Sequence, residues 1–331
     1  MDTLKTLQTI NACHGPAGDE SSVADAIEKL AAPYADKIKR DVMGNLIVRK
    51  KGSGPKVMFA AHMDSIGFIV THIDEKGFLR FGKVGGLRPN SCVHTPVRFK
   101  NGVRGVVSLD CGVEPKDMTL EDLYIDVGAK SREEAQGLVR IGDTAVFDGP
   151  AFSAGDRLVS PYMDDRIACV VLLKALEMLG KSDNDLYFVF TVQEELGLRG
   201  AKTAAYGIDP DYGVAVDVTW SDDELNPRHR GSSTAGGGAS IKVMDGSVIC
   251  HPQMVKRLEE LALAREIPYQ MDVIRQGGTD AGSIHLTRSG VYTGGVSIPC
   301  RYMHSPVEMV DARDVEACAG LVAAFAEAEL E

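Results

Sequence analysis

Three observations predict an α/β fold interrupted by a β-rich insertion. Apolar, β-branched runs alternate with helical patterns at both ends of the chain, the texture of a sheet covered by helices. From about Phe68 to about Gly155 that texture gives way to short alternating β segments. And 331 residues are too many for one comfortable core, so two domains, or one with a large insertion, is the expectation.

The elements follow in order. "DESSVADAIEKLAAPYA" sets Val23, Ile27 and Leu30 at helical spacing behind polar Asp and Ser residues, and predicts a helix. "NLIVRK" and "KVMFAAHMD" predict strands, the second strongly apolar. In the insertion, "FIVTHIDEKGFLRFG", "TPVRFKNGVRGVVSL", "LYIDVGA" and "TAVFDG" read as short strands. Asn101-Gly102 between two such runs predicts a two-residue hairpin turn. Ser131 with Glu134 predicts a capping box and one short helix. Beyond about Arg157 the alternation returns. It gives a helix after "MDDR", strands at 186–193 and 212–218, the helix "PQMVKRLEELALAREI", the strand "GGVSIP" and an Ala-rich last helix. The insertion then holds roughly 85 residues, an ordinary size for a small domain, and its edge strands should need covering. The glycines of "TAGGGAS" at 234–240 lack the flanks of a phosphate cradle and read as a flexible or close-approach loop.

Composition excludes several classes. The apolar fraction of 44% and charged fraction of 25% are those of a soluble globular protein. Acidic residues outnumber basic ones, 47 to 36, and no basic stripe carries interleaved aromatics, so nucleic acid is not an expected partner. Seven cysteines without a C-x-x-C pair fit neither a disulfide framework nor a Cys-based zinc ribbon, and point to a reducing, cytoplasmic setting. "MDTLKTLQTINACHG" has no apolar signal core. The longest apolar helix candidate, "IACVVLLKALEMLG", is broken by Lys174 and Glu177, so no membrane span is expected.

In open α/β sheets, ligands bind beyond the carboxyl ends of the strands. There the sequence places His62 and Asp64 after "VMFAA", Glu194 and Glu195 after "LYFVFTVQ", Asp217 after "YGVAV", and His304 in the loop after "GGVSIP". Asp164 and Asp165 open the helix after "PYM". Each taken alone has a plainer reading. Asp217 could be a turn residue, Asp164 and Asp165 helix caps, and His62 and His304 ordinary histidines. Their coincidence at one sheet edge is what points to a site. Histidine and carboxylate without thiolate suit zinc, or cobalt and manganese at a hydrolytic centre. In such a centre one Asp can bridge two ions. One glutamate of the pair can bind an ion while the other takes a proton from water.

"AAHMDSIGF", "SPYMDDR", "QEELGLRGA", "DVT" after "YGVAV", "GGTDAG" and "RYMHSPVEM" resemble, in order and spacing, the signature segments of the M42 family of di-metal aminopeptidases, the tetrahedral aminopeptidase group. The resemblance implies a mixed-sheet, zinc-peptidase-like catalytic domain over residues 1–67 and 156–331. It implies a β-rich dimerisation domain over 68–155. Carried over, Asp164 bridges two divalent ions, Glu195 and His304 complete one site, and His62 and Asp217 complete the other. Glu194 is the general base and Asp64 orients His62. The family further implies removal of N-terminal residues from short peptides, and a dodecamer built from dimers.

Other readings stay open at this point. Glycoside hydrolases also use paired carboxylates, normally from separate strands and without need of His62 and His304. A structural metal scaffold would be closed and rich in cysteine. A dipeptidase or deacylase on the same architecture is the nearest competitor. Arg275, Arg288 and Arg301 would favour acidic substrate side chains if they face the site, and are structural otherwise.

Overall fold

The computed structural model describes residues 1–227, 229 and 231–330. Its first strands are β1 (Lys37–Arg40), β2 (Leu46–Lys50) and β3 (Lys56–His62). Six short strands follow: β4 (Gly67–Ile73), β5 (Leu79–Val84), β6 (Pro96–Phe99), β7 (Arg104–Leu109), β8 (Leu123–Asp126) and β9 (Thr144–Phe147). The rest are β10 (Phe152–Ala154), β11 (Arg157–Ser160), β12 (Asp185–Thr191), β13 (Tyr212–Trp220), β14 (Ala239–Met244), β15 (Tyr269–Val273), β16 (Tyr292–Arg301) and β17 (Glu308–Asp311). Helices α1 (Thr3–Asn11) and α2 (Ser21–Ala31) precede the sheet, and α3 (Pro89–Cys92) and α4 (Arg132–Leu138) lie within the insertion. Then come α5 (Met163–Met178), α6 (Arg199–Ile208), α7 (Pro252–Ala264), α8 (Ala281–Ile284) and α9 (Ala312–Glu327).

Strands β4 to β9 close into a barrel in the order β4-β5-β8-β7-β6-β9. Closure removes the edges that the sequence led us to expect, because every barrel strand has two neighbours. Phe68 packs edge-on against Phe81 and Phe147 inside it, with ring centroids 5.0 and 5.2 Å away. The Asn101-Gly102 turn is longer than expected. Phe99 N–H reaches Val103 O and Gly102 N–H reaches Phe99 O, with Gly102 at φ +88°. That is a three-residue loop whose glycine takes the left-handed position. The capping box forms at Ser131, whose hydroxyl accepts Glu134 N–H, while Glu134 reaches back to Lys130 N–H.

The other strands form one mixed sheet in the order β1-β2-β12-β3-β13-β16-β17-β11-β10, with β14 joined to β16 and β15. Its centre is parallel: β12 with β3, β3 with β13, and β13 with β16. Period-2 alternation splits β3 between two layers. Val57, Phe59 and Ala61 join the core that includes α1, α2, α5 and α9, whereas Met58 and Ala60 join the core under α6. Phe59 stacks on Phe188 at 5.1 Å and meets Phe325 edge-on at 6.2 Å. Residues 152–154 already pair with β11, so the chain has re-entered this sheet before residue 155. The glycine loop at 234–240 is a close-approach loop: Gly236 and Gly238 N–H clasp the Asp314 carboxylate, and a Cβ on Gly238 would lie 2.2 Å from Pro268 O.

Candidate active site

The parallel strands end together, and their ends carry the polar groups. His62 closes β3, opposite Thr191 at the end of β12. After β12 the backbone reverses at Gln193 (φ +54°), and Gly197 and Leu198 N–H close the turn on Glu194 O. Asp217 lies on β13, where one of its oxygens accepts Val218 N–H at 2.7 Å. His304 follows β16 with φ +63°. Asp164 and Asp165 belong to the first turn of α5, yet neither is helical there (φ −77°, ψ 101° and φ −125°, ψ 29°). Their carboxylates meet His62, His304 and the His62 N–H, and no side chain caps α5, so they do not act as helix caps and Asp164 lines the cavity.

Six of the eight residues placed at the sheet edge by the sequence, His62, Asp164, Glu194, Glu195, Asp217 and His304, line one cavity of about 880 Å³. Two overlapping groups can each hold a cation: His62, Asp164 and Asp217, and Asp164, Glu195 and His304, with their ligand atoms within 4.8 Å of one another. Asp164 belongs to both. Its Oδ1 is 3.0 Å from His62 Nε2 and its Oδ2 is 3.2 Å from His304 Nε2.

Both imidazoles are aimed by carbonyls. His62 Nδ1 is 3.1 Å from Asp64 O, and His304 Nδ1 is 3.0 Å from Gly86 O. A carbonyl only accepts, so each neutral ring carries its proton on Nδ1 and offers the Nε2 lone pair to the cavity. Gly86 comes from the barrel side. A Cβ there would lie 2.4 Å from His304 Nδ1, and one on Gly85 (φ +73°) would lie 2.7 Å from Glu195 Oε2. Only glycine lets the backbone come that close.

Asp64 is fully buried behind the cavity, and its carboxylate does something the sequence did not suggest. It lies 3.6 Å from His62 Nδ1 but accepts the backbone N–H of Glu194 at 3.0 Å and of Glu195 at 3.2 Å. Other buried carboxylates clamp the backbone in the same manner. Glu308 accepts Asp164 N–H at 2.9 Å and His304 N–H at 2.6 Å. Asp165 accepts His62 N–H at 3.1 Å. Neither role was foreseen for these residues. A glutamate four positions after His304 is a faint signal, and a carboxylate bonded to a peptide N–H leaves no other trace in sequence.

The electrostatics are those of crowded acid. Burial pushes Glu194, Asp217 and Asp165 well above the carboxylate range, and lifts Glu195 to about 7 and Glu308 to about 8. Burial also works against charge on Asp164, but hydrogen bonds from His304 and His62 in their protonated forms outweigh it and hold that carboxyl low. Burial opposes protonation of His304, yet Asp164 and Glu195 raise it to about 10. Negative charge exceeds what two imidazoles neutralise, and this favours bound cations.

Of the three arginines considered for substrate selection, Arg301 is committed to Asp223 at 2.9 Å and Arg288 to Asp209 at 3.0 Å. Arg275 does line the cavity, as does Arg88, whose guanidinium lies 5.1 Å above the Trp220 ring.

A mixed α/β sheet whose strand ends unite two overlapping groups of imidazole and carboxylate around a cavity defines a metal-dependent hydrolase. Residues 44–321 match the family model described as M42 glutamyl aminopeptidase. The chain is 40% identical to the lysyl aminopeptidase of Pyrococcus furiosus, over 89% of this chain and 88% of that one. Its structure superposes on an aminopeptidase from the archaeon Desulfurococcus kamchatkensis with a TM-score of 0.95 at 42% identity, covering 98% and 94% of the two chains. The TET1 peptidase of Pyrococcus horikoshii, described as assembling into a tetrahedron or a large octahedral shell, superposes with a TM-score of 0.89 at 32% identity, covering 98% and 99%. The chain belongs to the M42 aminopeptidase family and is a metal-dependent aminopeptidase.

Proposed function

We propose that the chain removes N-terminal residues from short peptides with two divalent ions held between the two groups of ligands. In this reading Asp164 would serve both ions, Glu195 and His304 would complete one set of ligands, and His62 and Asp217 would complete the other. The observation that carries it is that Asp164 belongs to both groups, with one oxygen 3.0 Å from His62 Nε2 and the other 3.2 Å from His304 Nε2. Imidazole and carboxylate donors without thiolate suit zinc or cobalt first and manganese second. Such ions, when bound, polarise a carbonyl oxygen and acidify water.

The chain's own residues do the rest. Glu194 belongs to neither group of ligands, yet its Oε2 lies 3.9 Å from His62 Nε2 at the cavity wall. Its carboxylate takes the proton from the attacking water and hands it to the departing amine nitrogen. Asp64, bonded to both glutamate N–H groups, fixes where the two carboxylates point. An acid-lined cavity also favours the cationic α-amino group of a free peptide over an acetylated one.

We extend the reading to assembly and setting. The barrel carries exposed Val106, Leu138 and Ile141 and serves as the contact for dimers that close into a dodecamer in the cytoplasm. Support comes from the shell-forming Pyrococcus relative. Among the described residues no helix is long and apolar enough to cross a membrane. Light scattering that gave only a fully active monomer would remove this extension.

One experiment tests the core reading. Chelated protein is reloaded with Zn²⁺, Co²⁺ or Mn²⁺ and offered free and N-acetylated peptides. Hydrolysis should vanish on chelation, return with metal, and require the free amine. Chelator-insensitive activity, or equal rates on acetylated peptides, would sink it.

A further inference from the structure

Three successive peptide N–H groups run into and through the glutamate pair, and each ends on a buried carboxylate. Those of Glu194 and Glu195 go to Asp64. The one before them, Gln193 N–H, goes to Glu20 Oε1 at 3.1 Å. The same oxygen accepts Gly18 N–H at 2.7 Å. Glu20 stands in the loop ahead of α2, outside the residues matched by the family model.

Its position is unusual for a glutamate. The residue is only 6% exposed, and no Lys, Arg or His among the described residues forms an ion pair with it. It does not cap α2, since its side chain makes no cap bond there. Burial pushes its carboxyl up to about 7. A buried carboxylate without a cation is costly to keep, so packing alone does not account for it. The turn it touches needs outside support, because Gln193 adopts a left-handed backbone that a residue with a Cβ rarely takes.

We propose that Glu20 is a positioning residue for Glu194: one carboxylate oxygen, shared between Gly18 N–H and Gln193 N–H, pins the left-handed turn that aims the general base into the cavity. The inference rests on the reading of Glu194 as that base. A proton acceptor must sit within hydrogen-bond reach of the water it serves, and a displacement of about 1 Å lowers the rate by as much as ~10²-fold. Glu20 neither lines the cavity nor belongs to either group of ligands, so its loss should fall on kcat and spare KM and metal content.

The test compares Glu20→Ala with Glu20→Gln at full metal loading on one aminoacyl substrate. Glu20→Ala should lower kcat by about tenfold or more, with KM and metal stoichiometry unchanged. Glu20→Gln, whose amide oxygen can still accept both N–H groups, should restore most of that loss. In a Glu194→Gln background, Glu20→Ala should lower the rate no further, because it acts through Glu194. Hydrogen exchange at residues 193–195 of the metal-free protein should speed up in Glu20→Ala and not in Glu20→Gln, a readout independent of activity.

Wild-type kcat in Glu20→Ala overturns the inference, and so does a Glu20→Gln variant as slow as Glu20→Ala. If Glu20→Ala does not fold, Glu20→Asp decides. Shorter by one methylene, it cannot span both N–H groups, and wild-type kcat in that variant overturns the inference equally. Failure of the peptidase reading looks different: the unmodified protein itself would then leave free-amino peptides uncut.

Discussion

The Asp64 carboxylate accepts the backbone N–H of Glu194 at 3.0 Å, and its other oxygen accepts that of Glu195. The residue expected to steer an imidazole thus also anchors the turn carrying both glutamates. Asparagine at position 64 has one acceptor oxygen and can hold only one of the two N–H groups. Asp64→Asn should lower activity or metal affinity by about 10–100-fold, the usual range for partners behind a metal ligand. Kinetics with titrated metal reads this out, and unchanged values for both would show that the anchor is dispensable.

The two glutamates should separate cleanly. Glu194→Gln should keep its metals and bind substrate normally while losing on the order of 10²–10⁴ in rate. Glu195→Gln should be poor in metal and partly rescued by excess Zn²⁺ or Co²⁺. Elemental analysis beside kinetics distinguishes them. Rescue of Glu194→Gln by metal would mean that the roles are exchanged.

Asp164 gives one oxygen to each histidine, so it serves both sets of ligands. Asp164→Asn should therefore lose both ions rather than one. Full metal occupancy in that variant would contradict the bridge.

A fourth prediction concerns stability away from the cavity. Lys242 and Asp272 form a sealed ion pair between β14 and β15, supported by Thr219 and Ser233 hydroxyls. Removing one partner leaves a buried charge uncompensated. Lys242→Met should cost about 3–5 kcal/mol in denaturant unfolding, and Lys242→Met with Asp272→Leu should recover most of it. A small loss in the single variant would show that water reaches the pair.

Acid should loosen the junction between the N-terminal segment and the barrel. His14 Nε2 lies 2.9 Å from Thr144 Oγ1 on β9, and burial lowers its pKa from 6.5 to about 4. The folded protein therefore resists charging a ring that the unfolded chain charges readily. With a depressed imidazole, the contribution is complete above about pH 6.5 and is lost as the pH falls toward 4. Urea midpoints measured across that window should fall, and His14→Gln should flatten the fall. Parallel slopes in the two proteins would exclude His14 as a source.

The parts of the site visible in sequence are those set by strand ends. A buried parallel strand is a long apolar run, so the first imidazole or carboxylate beyond it stands out, as His62, Glu194 and Asp217 do. Glu20, Asp165 and Glu308 were invisible in these roles, because their partners are peptide N–H groups and every residue but proline has one. Gly85 and Gly86 were missed because a need for closeness shows only when the neighbour is known. β14 and β15 escaped notice because their short runs mix polar with apolar residues, and Lys242 hides a buried pair within one of them. Barrel closure was also out of reach: alternation names strands and leaves their partners open.

The place of β17 in the sheet bears on how the protein is made. The six barrel strands are contiguous in sequence and can close as soon as Phe147 has emerged. β11, by contrast, pairs with β10 and β17 alone, so it waits for residues 308–311. Glu308 also opens β17 and clamps both Asp164 and His304. Chains are synthesised from the N-terminus and fold as segments become available. The barrel therefore takes shape early, while the hydrolytic centre is assembled last, after Glu308 has left the ribosome. A nascent chain halted before that point should already carry a protease-resistant barrel and cleave no peptide, so the enzyme is inert throughout its own translation.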